Sequence, residues 1–475
     1  MTDVPFPLIT RPGQAPQVSG GRLINCYPEQ LSQTAGKPFA YWRVPGLSSW
    51  GSASSGAYRG GIQVAGTFYA LFGTTVYKFL STGGTGVALP GAAIPGTQFC
   101  WFAANQNPAT PDIVCISPGV GAFIIVDPTG VANYPDPDVG APNCVTFIGG
   151  QFVFTALNGF TIASDINSTN INSLNYAFTQ SKPDVLYRPL ALSNSQLLLA
   201  GASTIEVWGS PINNVGYPFT YQTTIYRGVT GPQGICGNED GWGNGIFLVG
   251  DDNKVSTLNG YTVVPISVPE LDLLIEAEPD KTKIVIGCHM SRGHGFVSVS
   301  GPAWCWEYDI HGGAWHERQS YLQNFWRALQ PINVFGNWLC GDLLSSTLLR
   351  IDGGVRKEVG DPLRMRIETG PMGAFPQRIR VNQIELYMTK GASIATGHDP
   401  DETDGMIEIS MSKDGGETWS NARTEPIGRQ SLTNNRVRSS IWGQADIQGV
   451  RWRFDQSAGL NFGFMGADMS ADILR

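Results

Sequence analysis

A hairpin unit that recurs through the middle of the chain constrains the fold more than any other feature. Each unit has a glycine or asparagine, a strand of five or six residues, a turn and a second strand. The spacing between units is about 40–50 residues, the period of four-stranded propeller blades. One blade cannot bury both of its faces, so blades stack into a closed ring. The clearest units are residues 66–78, 150–163, 195–208, 245–255, 295–309 and 336–351.

The repeat predicts an all-β protein in which residues 57–357 form a β-propeller of about six blades. In each hairpin, the small apolar strand is expected to line the centre of the blade stack and its partner to lie further out. A Gly/Pro-rich stretch at about residues 85–143 shows no such hairpin. The one helix expected is a short turn around residues 269–276.

The two ends of the chain differ from the middle in their pattern of apolar and polar residues. Residues 1–56 are irregular but contain two apolar stretches, at 22–28 and 39–46, and we expect an extended arm that packs along a neighbour or along the body of the fold. From residue 358 to residue 475 the strands alternate strictly between apolar and polar positions. This alternation predicts a C-terminal β-sandwich with half-solvated sheets.

Composition excludes several classes of protein. Charged residues are 15% of the chain and hydrophobic residues 42%, which is a poor match to disorder. The net charge is −8 and no block of Lys or Arg occurs, so tight, charge-driven DNA binding is not expected. The N-terminus lacks a signal-peptide pattern and no apolar run is long enough to span a bilayer, so we expect no membrane insertion by this chain.

The cysteines indicate the redox environment in which the chain folds. None forms a C-x-x-C pair and most lie in apolar runs, so they are predicted to be buried, reduced thiols. Buried cysteines that form no disulfides are typical of proteins that fold in a reducing cytosol. The eight are Cys26, Cys100, Cys115, Cys144, Cys236, Cys288, Cys305 and Cys340.

One motif has a recognisable local structure. Ser412, Asp414, Gly416, Thr418 and Trp419 fit the Asp-box pattern S-x-D-x-G-x-T-W. Asp414 is expected to cap the amides of a turn, the glycines to allow positive φ, and Trp419 to pack under the hairpin. Sialidases carry several such boxes, where the box is also structural. With a single box, the motif is predicted to be a structural turn, and a glycosidase marker is the alternative.

No catalytic pair emerges from the carboxylates. A glycosidase needs two facing carboxylates, or a Tyr nucleophile with an arginine cluster. No spacing brings together any two of Glu206, Asp309, Glu317 and Glu385. Walker, G-x-G-x-x-G and G-x-S-x-G motifs are also missing from their required contexts. The sequence therefore predicts a protein that is not an enzyme and has no cofactor.

Two segments contain metal-ligand residue types in the wrong pattern. The acidic loop at 398–405 misses the D-x-D-x-D-G spacing by one residue and lacks the twelfth-position Glu, so a solvated loop is predicted rather than a calcium site. His311 and His316 flank a Gly-Gly turn without an H-E-x-x-H helix or a Cys pair. We expect turn and surface roles for both histidines, and no metal.

Short matches to a known family are spread over most of the chain. The most specific is residues 197–208, a hydrophobic strand that leads into Ser203, Thr204, Ile205 and Glu206. The others are Tyr27-Pro28, the turn at 44–47, Arg59-Gly60, residues 76–78, residues 227–234 and residues 451–454. On these residues the chain resembles the packaged-DNA stabilisation proteins, also called tail accessory hub or nozzle proteins, of short-tailed bacteriophages.

This resemblance implies a structural protein of the virion tail that is made in the bacterial cytoplasm. It implies a hexameric ring of identical copies docked below the portal and its adaptor ring, with surfaces for a tail needle, fibres or spikes. The ring would continue the DNA channel and retain packaged DNA, and double-stranded DNA would pass through its lumen without sequence-specific binding. No catalytic residue is carried over from the family.

Two other readings of a propeller of this kind stay open. One is a glycan-binding or glycan-degrading propeller, such as a tail enzyme. The other is a generic scaffold propeller that binds proteins across its face.

Overall fold

The computed structural model describes residues 2–32, 36–107, 110–127, 129–192, 194–209, 216–397 and 399–474. Strands dominate all of these ranges. Five strands precede the propeller: β1 (Thr2–Asp3), β2 (Gly21–Ile24), β3 (Cys26–Gln30), β4 (Phe39–Arg43) and β5 (Gly46–Ser52).

The first four blades are separate four-stranded antiparallel sheets. Blade 1 contains β6 (Tyr58–Val64), β7 (Thr67–Phe72), β8 (Thr75–Phe79) and β10 (Val87–Ala88), with β9 (Gly84–Thr85) paired outside it to β5. Blade 2 contains β11 (Trp101–Ala104), β12 (Ile113–Ser117), β13 (Gly121–Val126) and β14 (Gly130–Asn133). Blade 3 contains β15 (Cys144–Ile148), β16 (Gln151–Thr155), β17 (Phe160–Ser164) and β18 (Ile171–Phe178). Blade 4 contains β19 (Leu186–Ala191), β20 (Leu197–Gly201), β21 (Ile205–Trp208) and β22 (Tyr221–Ile225).

Three further blades complete the ring. Blade 5 contains β23 (Ile235–Cys236), β24 (Ile246–Val249), β25 (Val255–Asn259) and β26 (Thr262–Pro265). Helix α1 (Pro269–Ala277) follows it, where a helical turn was predicted, and buries Leu271 and Ile275. Blade 6 contains β27 (Val285–Ser291), β28 (His294–Gly301), β29 (Trp304–Asp309) and β30 (Ala314–Glu317). Blade 7 contains β31 (Ala328–Val334), β32 (Asn337–Asp342) and β33 (Thr347–Asp352) together with β5.

The first strands of the blades are the innermost strands of the ring. Contacts between β31 and β6 bring the last blade against the first. Strand β5 then pairs antiparallel with β33, from Thr347 opposite Ser52 to Asp352 opposite Gly46. Because this outer strand comes from the N-terminal segment, the two ends of the ring are tied together by hydrogen bonds, and the ring has no broken edge.

The predicted all-β propeller is confirmed, but it has seven blades rather than about six. The blade missing from the prediction is blade 2, which lies inside the Gly/Pro-rich stretch. The expectation that one strand of each recurrent hairpin lines the centre was wrong, although its partner strand does lie further out. The recurrent hairpins are the second and third strands of their blades, and a shorter strand before each hairpin lies closest to the axis.

The chain then continues through β34 (Lys357–Glu358), β35 (Asp361–Pro362), β36 (Met365–Thr369), β37 (Arg378–Met388), α2 (Pro400–Thr403), β38 (Met406–Ser412), β39 (Arg423–Pro426), β40 (Val437–Gln444), β41 (Arg451–Gln456) and β42 (Gly463–Leu474). Two layers form a sandwich. One layer has the order β3-β4-β42-β37-β40, with β1 paired to β42, and the other has the order β2-β36-β41-β38-β39.

The sandwich therefore includes the N-terminal segment as well as the C-terminal one. Leu23 and Tyr41 belong to the same hydrophobic core as Ile384, Ile409 and Trp452. The second layer also continues blade 6, because Ile24 on β2 pairs in parallel with Glu317 on β30. The segment expected to be an extended arm, packed along a neighbour or along the body of the fold, thus supplies strands to both layers of the sandwich and to blade 7.

All eight cysteines are buried, and none forms a disulfide. Within the described ranges, neither α-helix is long and apolar enough to cross a membrane.

Candidate functional site

The Asp-box residues form the turn that follows β38. The Asp414 carboxylate accepts hydrogen bonds from the Ser412 hydroxyl (2.7 Å), the Thr418 amide (3.0 Å) and the Thr418 hydroxyl (2.5 Å). The Gly416 amide donates to the Ser412 hydroxyl (2.7 Å), and Gly416 has a φ of 114° that favours glycine. Burial raises the pKa of Asp414, but the hydrogen bonds from Thr418 and Ser412 outweigh it and lower the pKa to about 2. Asp414 is therefore an ionised cap of a fixed turn.

Trp419 connects this turn to two arginines of the sandwich. Its ring lies 3.9 Å from the guanidinium carbon of Arg453 and 5.8 Å from that of Arg451. Arg451 also donates to the Pro16 carbonyl (3.1 Å) and to the Ser19 hydroxyl (3.1 Å). The Asp-box turn thus packs against the N-terminal segment through a layer of arginine.

The four carboxylates considered as catalytic candidates are each held in a separate interaction. Asp309 lies 3.0 Å from His294, and Glu317 pairs with Arg22 (2.6 Å). Glu385 pairs with Arg436 (2.6 Å) on the surface of the sandwich. The fourth, Glu206, is fully buried and accepts hydrogen bonds from the amides of residues 180 and 181. These interactions hold the backbone and neighbouring strands, and they leave no pair of free, facing carboxylates among the four.

The two candidate histidines lie in blade 6. His316 is fully buried and hydrogen-bonds through Nε2 to Glu307 (2.9 Å), so the surface role expected for it was wrong. The His311 ring contacts the ring of His294 at 5.0 Å between ring centres, at the turn before β30. Among the described residues, no group of three or more His, Cys, Asp or Glu side chains is arranged to hold a metal ion.

The acidic loop forms a short helical turn, α2. Lys357 makes ion pairs with Asp399 (3.0 Å) and Glu402 (2.7 Å), and Arg429 pairs with Asp404 (3.3 Å). Three of the loop's four carboxylates, Asp399, Glu402 and Asp404, are thus paired with cations of the chain itself. His398, the first residue of the proposed loop, lies outside the described residues.

A buried ionic cluster lies between blades 6 and 7. Arg318 is 3.8 Å from Glu307 on β29 and 3.8 Å from Glu358 on β34, and its guanidinium lies over the Trp326 ring. Arg318 also donates to the Pro45 carbonyl (3.2 Å), just before β5. We call Glu307, Arg318, Trp326 and Glu358 the junction cluster. It joins blade 6, the connection to blade 7, the N-terminal segment and β34, which pairs with β5 in the blade 7 sheet.

The surroundings of the junction cluster shift the pKa values of two buried groups, Glu307 and His289. Burial raises the pKa of Glu307, but Arg318 and the hydrogen bond with His316 outweigh that effect and lower it to about 2. Burial lowers the pKa of the neighbouring His289 to about 4. Glu307 is therefore ionised and His289 neutral near pH 7. Breaking such a buried pair by removing one partner is costly, because it leaves an uncompensated charge.

One arginine connects the inner strands of several blades. Arg188 on β19 of blade 4 lies over the Trp101 ring of blade 2, at 4.3 Å. The same guanidinium donates to the Ile235 carbonyl of blade 5 (2.6 Å). Arg188 therefore reaches past the inner strand of blade 3 and links blades 2, 4 and 5.

Residues that carry the family resemblance hold the connections between blades. The Arg59 guanidinium donates to the carbonyls of Gly73 (2.7 Å), Ile94 (2.9 Å) and Pro95 (3.1 Å). It thereby fixes the Gly/Pro-rich connection from blade 1 to blade 2. Gly228 lies so close to the Ala202 carbonyl that an added Cβ would be 2.1 Å from the oxygen, so only glycine fits there.

Sequence reasoning gave no role to Arg59, Arg188, Arg318 or Glu358. Arg188 did carry a signal, because it lies in the otherwise apolar strand β19, and arginine is rarely buried without a partner. Its partners lie in blades 2 and 5, at distances along the chain that no spacing rule reveals.

An open groove of about 760 Å³ lies between blades 4 and 5. Trp242 and Tyr261 line it together with Gln196 and Glu239. Tyr261 accepts a hydrogen bond from Gln196 (2.7 Å), and Glu239 accepts one from the Gly237 amide (2.6 Å). Most of its polar groups are thus engaged with the groove wall.

The fold and these sites define a closed seven-bladed propeller with a built-in sandwich and polar clusters that connect its strands. The family described as "Bacteriophage P22 Gp10, beta-propeller" matches residues 23–355. The chain belongs to this family. It is a phage structural protein of the kind that stabilises packaged DNA, and hence a component of the virion. A search of curated proteins gives no match.

Solved structures with similar backbones are all remote. The chain is similar to virginiamycin B lyase from Staphylococcus aureus (10% identity, TM-score 0.43), covering 64% of this chain and 98% of the lyase. It is similar to the WD40 propeller domain of Doa1 (9% identity, TM-score 0.36), covering 65% of this chain and 96% of that domain. It is also similar to PorZ of the type-IX secretion system of Porphyromonas gingivalis (11% identity, TM-score 0.39) over 72% of this chain. That match spans only 45% of PorZ. Similarity at this level carries no information on function.

Proposed function

We propose that the chain is one subunit of a ring in the tail of a short-tailed phage. Several identical copies, six by the family resemblance, stand below the portal and its adaptor ring, continue the DNA channel and retain the packaged genome. The outer side of this ring offers surfaces to a tail needle, fibres or spikes. The observation that carries the proposal is membership of the phage stabilisation family over residues 23–355.

The close approach of the inner strands supports a DNA path outside the single propeller. Arg188 on blade 4 contacts both Trp101 on blade 2 and the Ile235 carbonyl on blade 5, so these inner strands are too close together there for double-stranded DNA to pass between them. A channel for DNA must then lie between copies, on an axis that they share. This supports a role for the propeller as a building block of the channel wall.

The construction of the subunit suits a wall that resists pressure. β5 closes the propeller by strand pairing, and the pairing of β2 with β30 and the Arg22–Glu317 ion pair fasten the sandwich to it. The joint therefore includes strand pairing and an ion pair rather than a flexible linker. A subunit built in this way transmits load between its two parts without a hinge.

Imaging of virions tests the placement. Electron cryo-microscopy of particles should show a ring of seven-bladed propellers directly below the portal and adaptor, and particles made without this chain should lack that ring. Finding the chain inside the head, or on no part of the tail, would refute the proposal. Incubation with host polysaccharide should release no reducing ends, and release would point to a tail enzyme instead.

A further inference from the structure

The charges of the propeller are distributed very unevenly around the ring. No lysine or arginine occurs between Lys78 and Lys182, a stretch that contains all of blades 2 and 3. The same stretch contains five aspartates, Asp112, Asp127, Asp136, Asp138 and Asp165. Only Asp127 pairs with a described cation, Lys78 at 3.1 Å. One sector of the ring is therefore acidic, and no cation of its own neutralises it.

An apolar sheet edge lies in this sector. β18 is the longest of the outer strands of blades 1 to 5, and it pairs only with β17. Leu174 is 70% exposed, Tyr176 44% and Phe178 48%. Native proteins protect an exposed edge with charges or prolines, but residues 166–181 contain neither. An unprotected edge with exposed aromatic side chains indicates a surface that another protein covers.

Three aspartates surround the start of this edge. Asp136 accepts a hydrogen bond from the Ile171 amide (2.7 Å) at the first residue of β18. Asp138 lies in the 3-10 turn that packs against β18, and Asp165 opens the loop that leads into it. We call β18 with Asp136, Asp138 and Asp165 the acidic sector.

The sandwich has an edge of opposite charge. β40 is the last strand of its layer, and Arg438 lies on it. Arg380 is on β37 opposite Gln444, and the Lys413 ammonium lies beside Gly443. Arg423 donates to the carbonyl of residue 440 and lies over the Trp442 ring at 4.0 Å. We call Arg380, Lys413, Arg423 and Arg438 the basic edge.

None of the four cations of the basic edge forms an ion pair with a described residue. Two carboxylates lie opposite them: Glu385, which pairs with Arg436, is opposite Arg438, and Asp472 is opposite Arg380. The four cations outnumber these two carboxylates, so the edge keeps an excess of positive charge.

Ile441 is in the middle of the edge, 82% exposed and with a φ of 62°. A β-branched residue in this region of backbone space is strained, and such strain clusters at functional sites. The basic edge thus combines excess positive charge with an exposed apolar side chain, and the acidic sector combines negative charge with exposed apolar side chains.

The two surfaces lie on different sides of the molecule. The sandwich continues blade 6 through β2, and blade 3 is three places away from blade 6, as far as a ring of seven allows. One chain cannot bring them together. A contact between two different surfaces of identical copies is head-to-tail, and it closes into a ring when the rotation from one copy to the next divides a full turn evenly.

We propose that the acidic sector of one copy docks against the basic edge of the next copy around the ring. This inference rests on the proposed function, since it names the contact from which the ring would be built. Charge complementarity selects this partner, because the basic edge combines a strand at the end of its layer with cations that form no ion pair with a described residue. DNA is a poorer partner, since phosphates are repelled by the acidic sector and gain nothing from Leu174 or Tyr176.

Charge reversal in full-length chain tests the contact. One variant carries Arg380→Glu and Arg438→Glu, a second carries Asp138→Lys and Asp165→Lys, and a third carries all four changes. All four side chains are exposed, and none of them makes an ion pair with a described residue, so folding should be preserved. Matched controls are Lys254→Glu with Lys283→Glu and Glu276→Lys with Glu278→Lys, which change net charge equally, away from both surfaces.

Assembly is measured by mass photometry of free chain at low salt and by counting copies bound to DNA-filled heads that carry portal and adaptor. Each two-charge variant should lose affinity between copies by at least about tenfold, because like charges then face each other. The four-charge variant should regain most of it, because the signs are complementary again. An equal mixture of the two-charge variants should also assemble, whereas the controls should match wild type.

The outcomes separate this inference from the proposed function. If wild-type chain forms a ring on heads and every variant does the same, the docking contact is wrong and the ring proposal stands. If wild-type chain stays monomeric both free and on heads, the ring proposal itself fails. If Arg380→Glu with Arg438→Glu abolishes retention of linear duplex DNA without changing assembly, the basic edge is a DNA surface and the contact is refuted.

Discussion

The Arg188 guanidinium lies 4.3 Å from the Trp101 ring, although these residues belong to blades 4 and 2, which are not neighbours in the ring. Arg188→Met should lower the apparent free energy of unfolding by about 1–3 kcal/mol, because it removes the cation–π contact and leaves the Ile235 carbonyl without its donor. Urea unfolding monitored by tryptophan fluorescence measures the change. Arg188→Lys is the control and should lose less stability than Arg188→Met, because it keeps the positive charge but lacks the planar guanidinium group with its fixed N–H donors. Equal unfolding midpoints for all three chains would contradict a bracing role for this pair.

The junction cluster should respond strongly to the loss of one charge. Arg318→Met leaves Glu307 buried without its cation, which typically costs about 3–5 kcal/mol of stability. Glu307→Gln combined with Arg318→Met should cost less than the sum of the two single changes, as shown by a double-mutant cycle in thermal unfolding. Arg436→Met breaks an exposed pair with Glu385 and should cost less than about 1 kcal/mol. A similar small loss for Arg318→Met would show that the cluster does not hold blades 6 and 7 together.

Acid should destabilise the fold through His289. Burial lowers the pKa of His289 from its usual value of 6.5 to about 4, so the unfolded chain binds this proton at a higher pH than the folded chain does. The stability contribution is complete above pH 6.5 and is lost progressively as the pH falls toward 4, a change on the order of 3 kcal/mol.

His289→Phe should flatten the stability profile in that window, since phenylalanine can pack on Phe296 as His289 does and does not titrate. Unfolding midpoints measured at intervals from pH 7.5 to pH 4, compared between the two chains, provide the check. Glu307, Arg318 and His316 face the same space and are unchanged in both chains. Identical slopes for the two chains would assign the acid sensitivity to other groups.

The Asp-box turn should loosen locally when its carboxylate is removed. Asp414→Ala loses the hydrogen bonds from Ser412 and from the Thr418 amide and hydroxyl, and we expect a cost of about 1–2 kcal/mol. Hydrogen exchange should speed up at the amide of Thr418 while the propeller keeps its protection. Glu417→Ala changes the adjacent, exposed carboxylate and should leave that amide protected. Loss of protection across the whole sandwich would contradict a purely local role for the turn.

Local patterns predicted the propeller because each blade carries its own signal. Six hairpins show the alternation and the turn glycines that define a blade, and these features lie within a dozen residues of each other. Blade 2 was missed because the connections around it are rich in glycine and proline. Even so, the apolar runs that contain Trp101 and Ile113 are typical of buried strands, and both form strands of blade 2.

Long-range pairings could not be predicted in the same way. β5 completes blade 7 about 300 residues away along the chain (Gly46 opposite Asp352), and the turn chemistry near Gly46 gives no hint of its partner. The same holds for β2, whose alternation shows which face is buried but not that it bridges blade 6 and the sandwich. The charged residues of the junction cluster can be read from the sequence, but their contact with one another cannot be predicted, because the fold brings them together from separate segments of the chain.

Retention of packaged DNA tests the central claim most directly. Heads filled in the absence of this chain should lose their genome over hours, as measured by nuclease-accessible DNA, and addition of purified wild-type chain before the assay should prevent the loss. Arg318→Met chain, if the contact between blades 6 and 7 is weakened as expected, should protect less well than Arg436→Met chain. Heads that keep their DNA equally well with and without the chain would contradict the claim that it stabilises the packaged genome.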